Sequence, residues 1–125
     1  MLDSIEYHLF PNACFFPGIQ IPLIYRFRPT SLGTCVHEIL ILEPVSDEAN
    51  REPPAMAHHL GIDQSYKEVE GFSLAHVLDQ DTENFHRQWA GMNASIKSGQ
   101  TLGNYQEVRI RNFHKTLDEY LIREG

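Results

Sequence analysis

One stripe of side chains restricts what this chain can fold into more than any other feature. Leu74, Leu78, Asp81, Phe85, Trp89, Met92 and Ile96 follow one another at steps of four, three, four, four, three and four. Steps of three and four return to the same side of an α-helix, so these residues share one face. An apolar helical face has to be covered, and the spacing predicts a long helix with Trp89 in the packed core. Asp81 puts a carboxylate in the middle of that row. Asp79 and Glu83, two residues to either side, point well away from it. Gly99 and Gly103 end the pattern. A second helix is predicted over 108–123, with Ile110, Phe113, Leu117 and Leu121 on one face. Glu107 with Arg111, and Glu119 with Arg123, stand in the favourable i,i+4 order for ion pairs.

The chain before these helices has a different period. Ile19, Ile21, Leu23, Tyr25 and Phe27 alternate with Gln20, Pro22, Ile24, Arg26 and Arg28. Period two predicts a strand, and Pro22 within it suggests an edge position or a bulge. A further strand is expected over Thr34–Glu43, apolar on both sides near its end and so buried on both. The segment 28–34 has turn chemistry, and an earlier strand is expected over Ile5–Phe10, followed by turns at Pro11-Asn12 and Pro17-Gly18. Short connections favour an antiparallel meander. Pro44–Pro54 reads as a loop between a strand-rich first part and a helix-rich second part. The class predicted is α+β within a single domain, 1–125.

Charge and composition exclude several functions. The formal net charge is -7 and no basic cluster offsets it, which disfavours nucleic acid as a partner. The longest apolar runs are far too short to span a bilayer, so no membrane association is expected. Met1-Leu-Asp-Ser-Ile-Glu has neither a basic nor an apolar leader region, and the expected location is the cytoplasm. Cys14 and Cys35 show no C-x-x-C or C-x-H spacing, so they read as free thiols rather than ligands of an iron–sulfur cluster or zinc.

Asp81 is the most informative position for chemistry. An ionised carboxylate facing a core needs a cation, hydrogen-bond donors or a proton. A bound metal would supply the first. Asn84 at i+3 and Gln88 at i+7 lie near the same face and could orient the carboxylate. The competing reading is that the helix breaks here and Asp81 or Thr82 caps a second one, since both residue types cap well.

Several stretches, taken in order, are similar to one family. Leu78-Asp-Gln-Asp-Thr-Glu-Asn84 resembles the segment of Rieske-type ring-hydroxylating oxygenase large subunits that carries the aspartate ligand of mononuclear iron. Leu9-Phe-Pro-Asn12, Tyr25-Arg-Phe-Arg-Pro29 and Pro53-Pro-Ala55 resemble that family's Phe-Pro-Asn strand end, Tyr-Arg-Phe-Arg-Pro strand and pre-helix loop. Thr101-Leu-Gly-Asn-Tyr-Gln-Glu107 and Arg109-Ile-Arg-Asn-Phe-His114 resemble its closing segment. The resemblance implies a helix-grip fold, an antiparallel sheet around a long C-terminal helix, here incomplete on its N-terminal side.

It also implies a function. In the complete enzyme Fe(II) is held by two histidines and one aspartate, and Asp81 matches the aspartate. Electrons come from a [2Fe–2S] cluster in a separate domain, fed by a ferredoxin or reductase, and O2 is used to hydroxylate an aromatic or apolar substrate. Both histidines and the cluster's ligands would precede residue 1. Asn84 and Gln88 would back the metal ligand, while Val77, Leu78, Phe85 and His37 would wall the substrate cavity. None of His8, His37, His58, His59, His76, His86 and His114 has a ligand-pair spacing on one helix with Asp81. The expectation is a chain inactive by itself, with weak or absent iron binding. It is also expected to self-associate, as a homo-oligomer or aggregate, with the Ile5–Phe10 edge as a contact. The alternative is a small helix-grip module that binds an apolar ligand without catalysis, or a truncated product without independent function.

Overall fold

The computed structural model describes residues 6–17, 22–47 and 51–123. The chain divides into two compact units, one comprising 1–51 with 102–125 and the other 52–101.

The first unit is built on a four-stranded antiparallel sheet in the order β1-β2-β3-β4. The strands are β1 (Tyr7–Leu9), β2 (Ala13–Phe16), β3 (Leu23–Ser31) and β4 (Thr34–Ile41). Neighbours in the sheet are neighbours in sequence, the meander that short connections dictate. Directly paired residues share a face. One row across the sheet is therefore His8, Cys14, Tyr25 and Ile39, flanked by Phe16, Leu23 and Ile41 on one side and by Phe27 and His37 on the other. The opposite face carries Phe15, Ile24 and Leu40, then Arg26 paired with Glu38. There Glu38 bridges Arg26 and Arg28, the latter at 2.8 Å, and Arg26 holds the Glu38 carboxyl below the usual range.

Helix α2 (Val108–Arg123) closes the first unit. Phe113 meets His8 and Phe10 at ring separations of 5.6 and 5.7 Å, and Tyr120 stacks on Phe10 at 5.2 Å. Arg109 pairs with Glu6 at 2.6 Å. The expected Glu107–Arg111 pair does not form, because Glu107 accepts instead from the Gly103 amide and Arg111 donates to Asn104; Glu119 and Arg123 make no ion pair with each other either.

Several sequence expectations are corrected. Pro22 lies just before β3 rather than inside a strand, since it lacks the amide a ladder requires. β3 is central, not an edge, and continues through Pro29 with a register shift before Ser31. The turn thus shrinks to Leu32-Gly33. A separate strand, β2, lies between the first two expected ones. β4 is not buried on both sides: it is an edge strand, with Leu40 and Ile41 exposed. β1 is the other edge and is short. Ile5 and residues 18–21 lie outside the described residues.

The second unit holds a 3-10 helix (Tyr66–Glu68) and α1 (Ala75–Ala94). Gly71, with φ of 73°, turns the chain between them in a conformation that glycine adopts without strain. Leu78 is fully buried, at 0% exposure, and Ala75 beside it is buried too. Both units together make an α+β protein, four antiparallel strands with two long helices.

Candidate metal and substrate site

Asp81 lies in the second turn of α1, and the helix runs through it without interruption. This removes the capping reading of the sequence. Thr82 does not cap either: its hydroxyl donates back to the carbonyls of Leu78 and Asp79, at 2.9 and 3.1 Å, as Thr does within a helix. Asp81 is half-buried and makes no hydrogen bond or ion pair among the described residues. Asn84 and Gln88 are exposed on the same helix and form no hydrogen bond to it.

The carboxylate that is held is Asp79. Its Oδ2 accepts from the Ser65 hydroxyl at 2.7 Å and its Oδ1 from the Tyr66 amide at 2.9 Å. Those two bonds keep the Asp79 carboxyl below the usual carboxylate range, the Ser65 hydroxyl contributing most. Ser65 also forms a capping box with Glu68, its hydroxyl accepting from the Lys67 amide while its own amide donates to Glu68 at 3.1 Å. The free amides at the start of the 3-10 helix are thus satisfied, one of them by a side chain fourteen residues from Ser65. Burial, with the negative charge of Asp79 nearby, pushes the Tyr66 phenol up. Sequence reasoning missed this tether. The Ser65-x-x-Glu68 spacing is a legible capping-box signature, but nothing in the linear pattern links it to Asp79.

The other residues expected at the site divide. Leu78 is buried, whereas Val77 and Phe85 are exposed. Farther along α1, Trp89 is 48% exposed and Ile96 lies beyond the helix, fully exposed, so Trp89 is not in a core. The stripe's periodicity is real, but no residue of its second half is buried. His37 lies in the first unit, half-buried on β4. It stacks flat on Phe27, with ring centroids 4.6 Å apart and 3° between planes, and meets Tyr25 edge-on at 5.1 Å. Phe16 extends the row, edge-on to Tyr25 at 5.1 Å. This is an aromatic strip with a phenol and an imidazole in it, suited to an apolar or aromatic surface.

Cys14 is half-buried and Cys35 exposed, and both are free. Burial, with Glu6 nearby, pushes the Cys14 thiol up, the opposite of what a reactive thiolate requires. Among the described residues no three His, Cys, Asp or Glu side chains gather into a ligand set. The described residues therefore do not by themselves fit a three-ligand iron centre. No helix among them is long and apolar enough to cross a membrane.

The chain belongs to the ring-hydroxylating oxygenase alpha subunits: the model of the ring hydroxylating alpha subunit (catalytic domain) matches residues 2–123. Complete enzymes of that family combine non-haem iron with a Rieske cluster. No curated protein and no solved structure matches the chain.

Proposed function

We propose that this chain is the C-terminal part of an oxygenase catalytic domain, and that Asp81 is its contribution to the iron site. In the complete enzyme, the Fe(II) so held would supply activation of O2, and the substrate hydroxylated would be aromatic or similarly apolar. The two histidine ligands and the [2Fe–2S] domain would come from outside residues 1–125, with electrons delivered by a ferredoxin or reductase. The observation that carries this reading is the family match across 2–123, which includes Asp81 three residues before Asn84.

The local physics supports the assignment. Two carboxylates sit two residues apart on one helix. Asp79 is fully engaged by Ser65 and Tyr66, which leaves Asp81 with a lone pair to give. An unengaged carboxylate beside a buried leucine is poorly compensated unless a cation joins it. Asn84 and Gln88 would then orient the ligand, with Val77, Leu78 and Phe85 as apolar surroundings. His37, in its aromatic strip, would contribute to substrate contact.

A second reading, a module that binds an apolar ligand without chemistry, draws on the same strip of Phe16, Tyr25, Phe27 and His37. Iron quantitation separates the two. With one carboxylate and no second ligand, the isolated chain is expected to lose Fe(II) on dialysis. A polypeptide extended upstream to include two histidines is expected to retain one equivalent, and Asp81→Ala in it to abolish retention. Retention unaffected by Asp81→Ala would reject the assignment.

A further inference from the structure

The second unit has a small interior, and one short segment supplies most of its cover. Residues 51–59 and 83–101 are all exposed. The buried and half-buried positions are Leu60, several within 65–74, and several in the first two turns of α1. Within this unit, the cover for Leu78 and Ala75 therefore comes from the segment that precedes the helix. Its 3-10 helix packs on α1. Tyr66 and Val69 are half-buried there, and the Tyr66 ring lies 6.3 Å from that of Phe72. Ala75 stands one turn before Asp79 on the same side of α1, so a segment bonded to Asp79 lies over Ala75 as well.

This cover has the parts of a lid. Its body is held together from within. The Ser65 hydroxyl accepts from the Lys67 amide, and the Ser65 amide donates to Glu68. The Glu68 and Val69 amides donate to the carbonyls of Ser65 and Tyr66, at 3.0 and 3.1 Å. None of these bonds involves α1. Two bonds do reach the flank of α1, from the Ser65 hydroxyl and the Tyr66 amide, and both end on the Asp79 carboxylate. On one side of the body, residues 51–59 form no helix or strand and follow a moving turn without resisting it. On the other side stands Gly71, at φ 73°, where an added Cβ would meet nothing within 4 Å. The space around Gly71 is open, so it is the backbone angle that calls for glycine. Hinges are positions of this kind, at the ends of elements, where backbone angles absorb a motion.

We infer that residues 65–70 are a lid over the first two turns of α1, latched by Asp79 and hinged at Gly71. It opens while α1 stays helical and admits an apolar or aromatic small molecule to the Leu78 side of the helix. A cover that rests on few buried side chains and one carboxylate opens at far lower cost than the unit unfolds. Opening removes Tyr66 and Val69 from Leu78, and Asp81 lies next to Leu78 on that face. The lid thereby governs entry to the surroundings of Asp81. That use of the lid rests on the reading of Asp81 and its neighbours as a site, whereas the opening itself requires neither iron nor substrate. The two carboxylates then have separate tasks, Asp79 closing the lid and Asp81 facing what it covers.

The full chain carrying Cys14→Ser, Cys35→Ser and Ala75→Cys has one thiol, under the lid. An aromatic disulfide reagent, dithiobis-nitrobenzoate, reports each uncovering of that thiol. Labelling is expected to be slow and to respond only weakly to low urea, as a local opening does. Asp79→Ala should speed it by at least about tenfold, because both bonds to the carboxylate are lost. Gly71→Ala should speed it by about tenfold, because a side chain at positive φ strains the closed state. Circular dichroism should show α1 retained in both. A second measurement needs no added cysteine: cleavage after Lys67 by a lysine-specific protease should accelerate in Asp79→Ala, while cleavage after Lys97 should not. Labelling that follows urea as steeply as global unfolding overturns the lid, and so does labelling or Lys67 cleavage that Asp79→Ala leaves unchanged. If the lid opens as expected but iron retention in the upstream-extended polypeptide ignores Asp81, the opening stands and its use at that site is rejected.

Discussion

The two halves of α1 carry the same apolar period and meet opposite fates. In the first, Ala75–Thr82, Leu78 is wholly buried and Asp79 is bonded to the neighbouring 3-10 helix. In the second, Glu83–Ala94, the same stripe continues through Phe85, Trp89 and Met92 with no residue buried. One half is anchored by buried Ala75 and Leu78 and by the Asp79 carboxylate. The other extends from that anchor as helix, with Phe85, Trp89 and Met92 each a little under half exposed. The difference teaches that helical period reports which residues share a face, and says nothing about what lies opposite it. It also puts Asp81 at the boundary, where one turn separates buried from exposed.

The comparison breaks most readily at Leu78. Leu78→Ala is expected to destabilise the second unit by about 3 kcal/mol, the mid-range for a fully buried leucine. Trp89→Ala is expected to change stability by less than about 1 kcal/mol. Urea denaturation followed by circular dichroism reads both. Equal losses would mean that the two halves are packed alike.

A smaller effect is expected at the tether. Asp79→Ala removes the acceptor for the Ser65 hydroxyl and the Tyr66 amide, so the Tyr66 amide should exchange with solvent faster. Asp79→Asn keeps an acceptor and should be intermediate. Exchange at amides beyond Glu83 should not respond, because those turns do not touch the tether. Protection at Tyr66 unchanged in Asp79→Ala would show that the anchor lies elsewhere. Asp79 is therefore no neutral control for its neighbour, although sequence spacing makes it look like one.

The smallest effect is expected at Asp81. With the helix continuous, Asp81→Leu removes no cap and replaces a poor helix former by a good one. A gain of roughly 0.4 kcal/mol is expected from propensity. A lowered denaturation midpoint at unchanged slope would mean that the Asp81 carboxylate has a partner that matters to folding.

Much of this architecture was legible in the residues. The α+β class, the antiparallel order and both long helices follow from a period of two giving way to steps of three and four. The Tyr25-Arg-Phe-Arg-Pro29 and Leu78–Asn84 stretches also pointed to the oxygenase family. What the residues hid was pairing across distance. β2 was missed because Ala13-Cys-Phe-Phe16 is short and does not alternate, and it becomes a strand through ladders to β1 and β3 on either side. The expected burial of β4 failed for a related reason. Ile39-Leu-Ile41 is apolar on both sides, yet β4 ends the sheet and leaves Leu40 and Ile41 exposed.

By itself, the sequence determined which side chains stand together on each element, because strand and helix periods are local geometry. It determined that Asp81 shares a face with Leu78 and Phe85, and that Asp79 does not. Only the tertiary structure decided which of the two carboxylates is engaged. Asp79 is bonded because the turn at Gly71 brings Ser65 and Tyr66 back alongside α1, a contact between residues thirteen and fourteen apart that no local period encodes. The tertiary structure likewise decided that Leu78 is covered and Trp89 is not, since burial depends on what packs opposite a face, and that is a property of the folded chain rather than of the face.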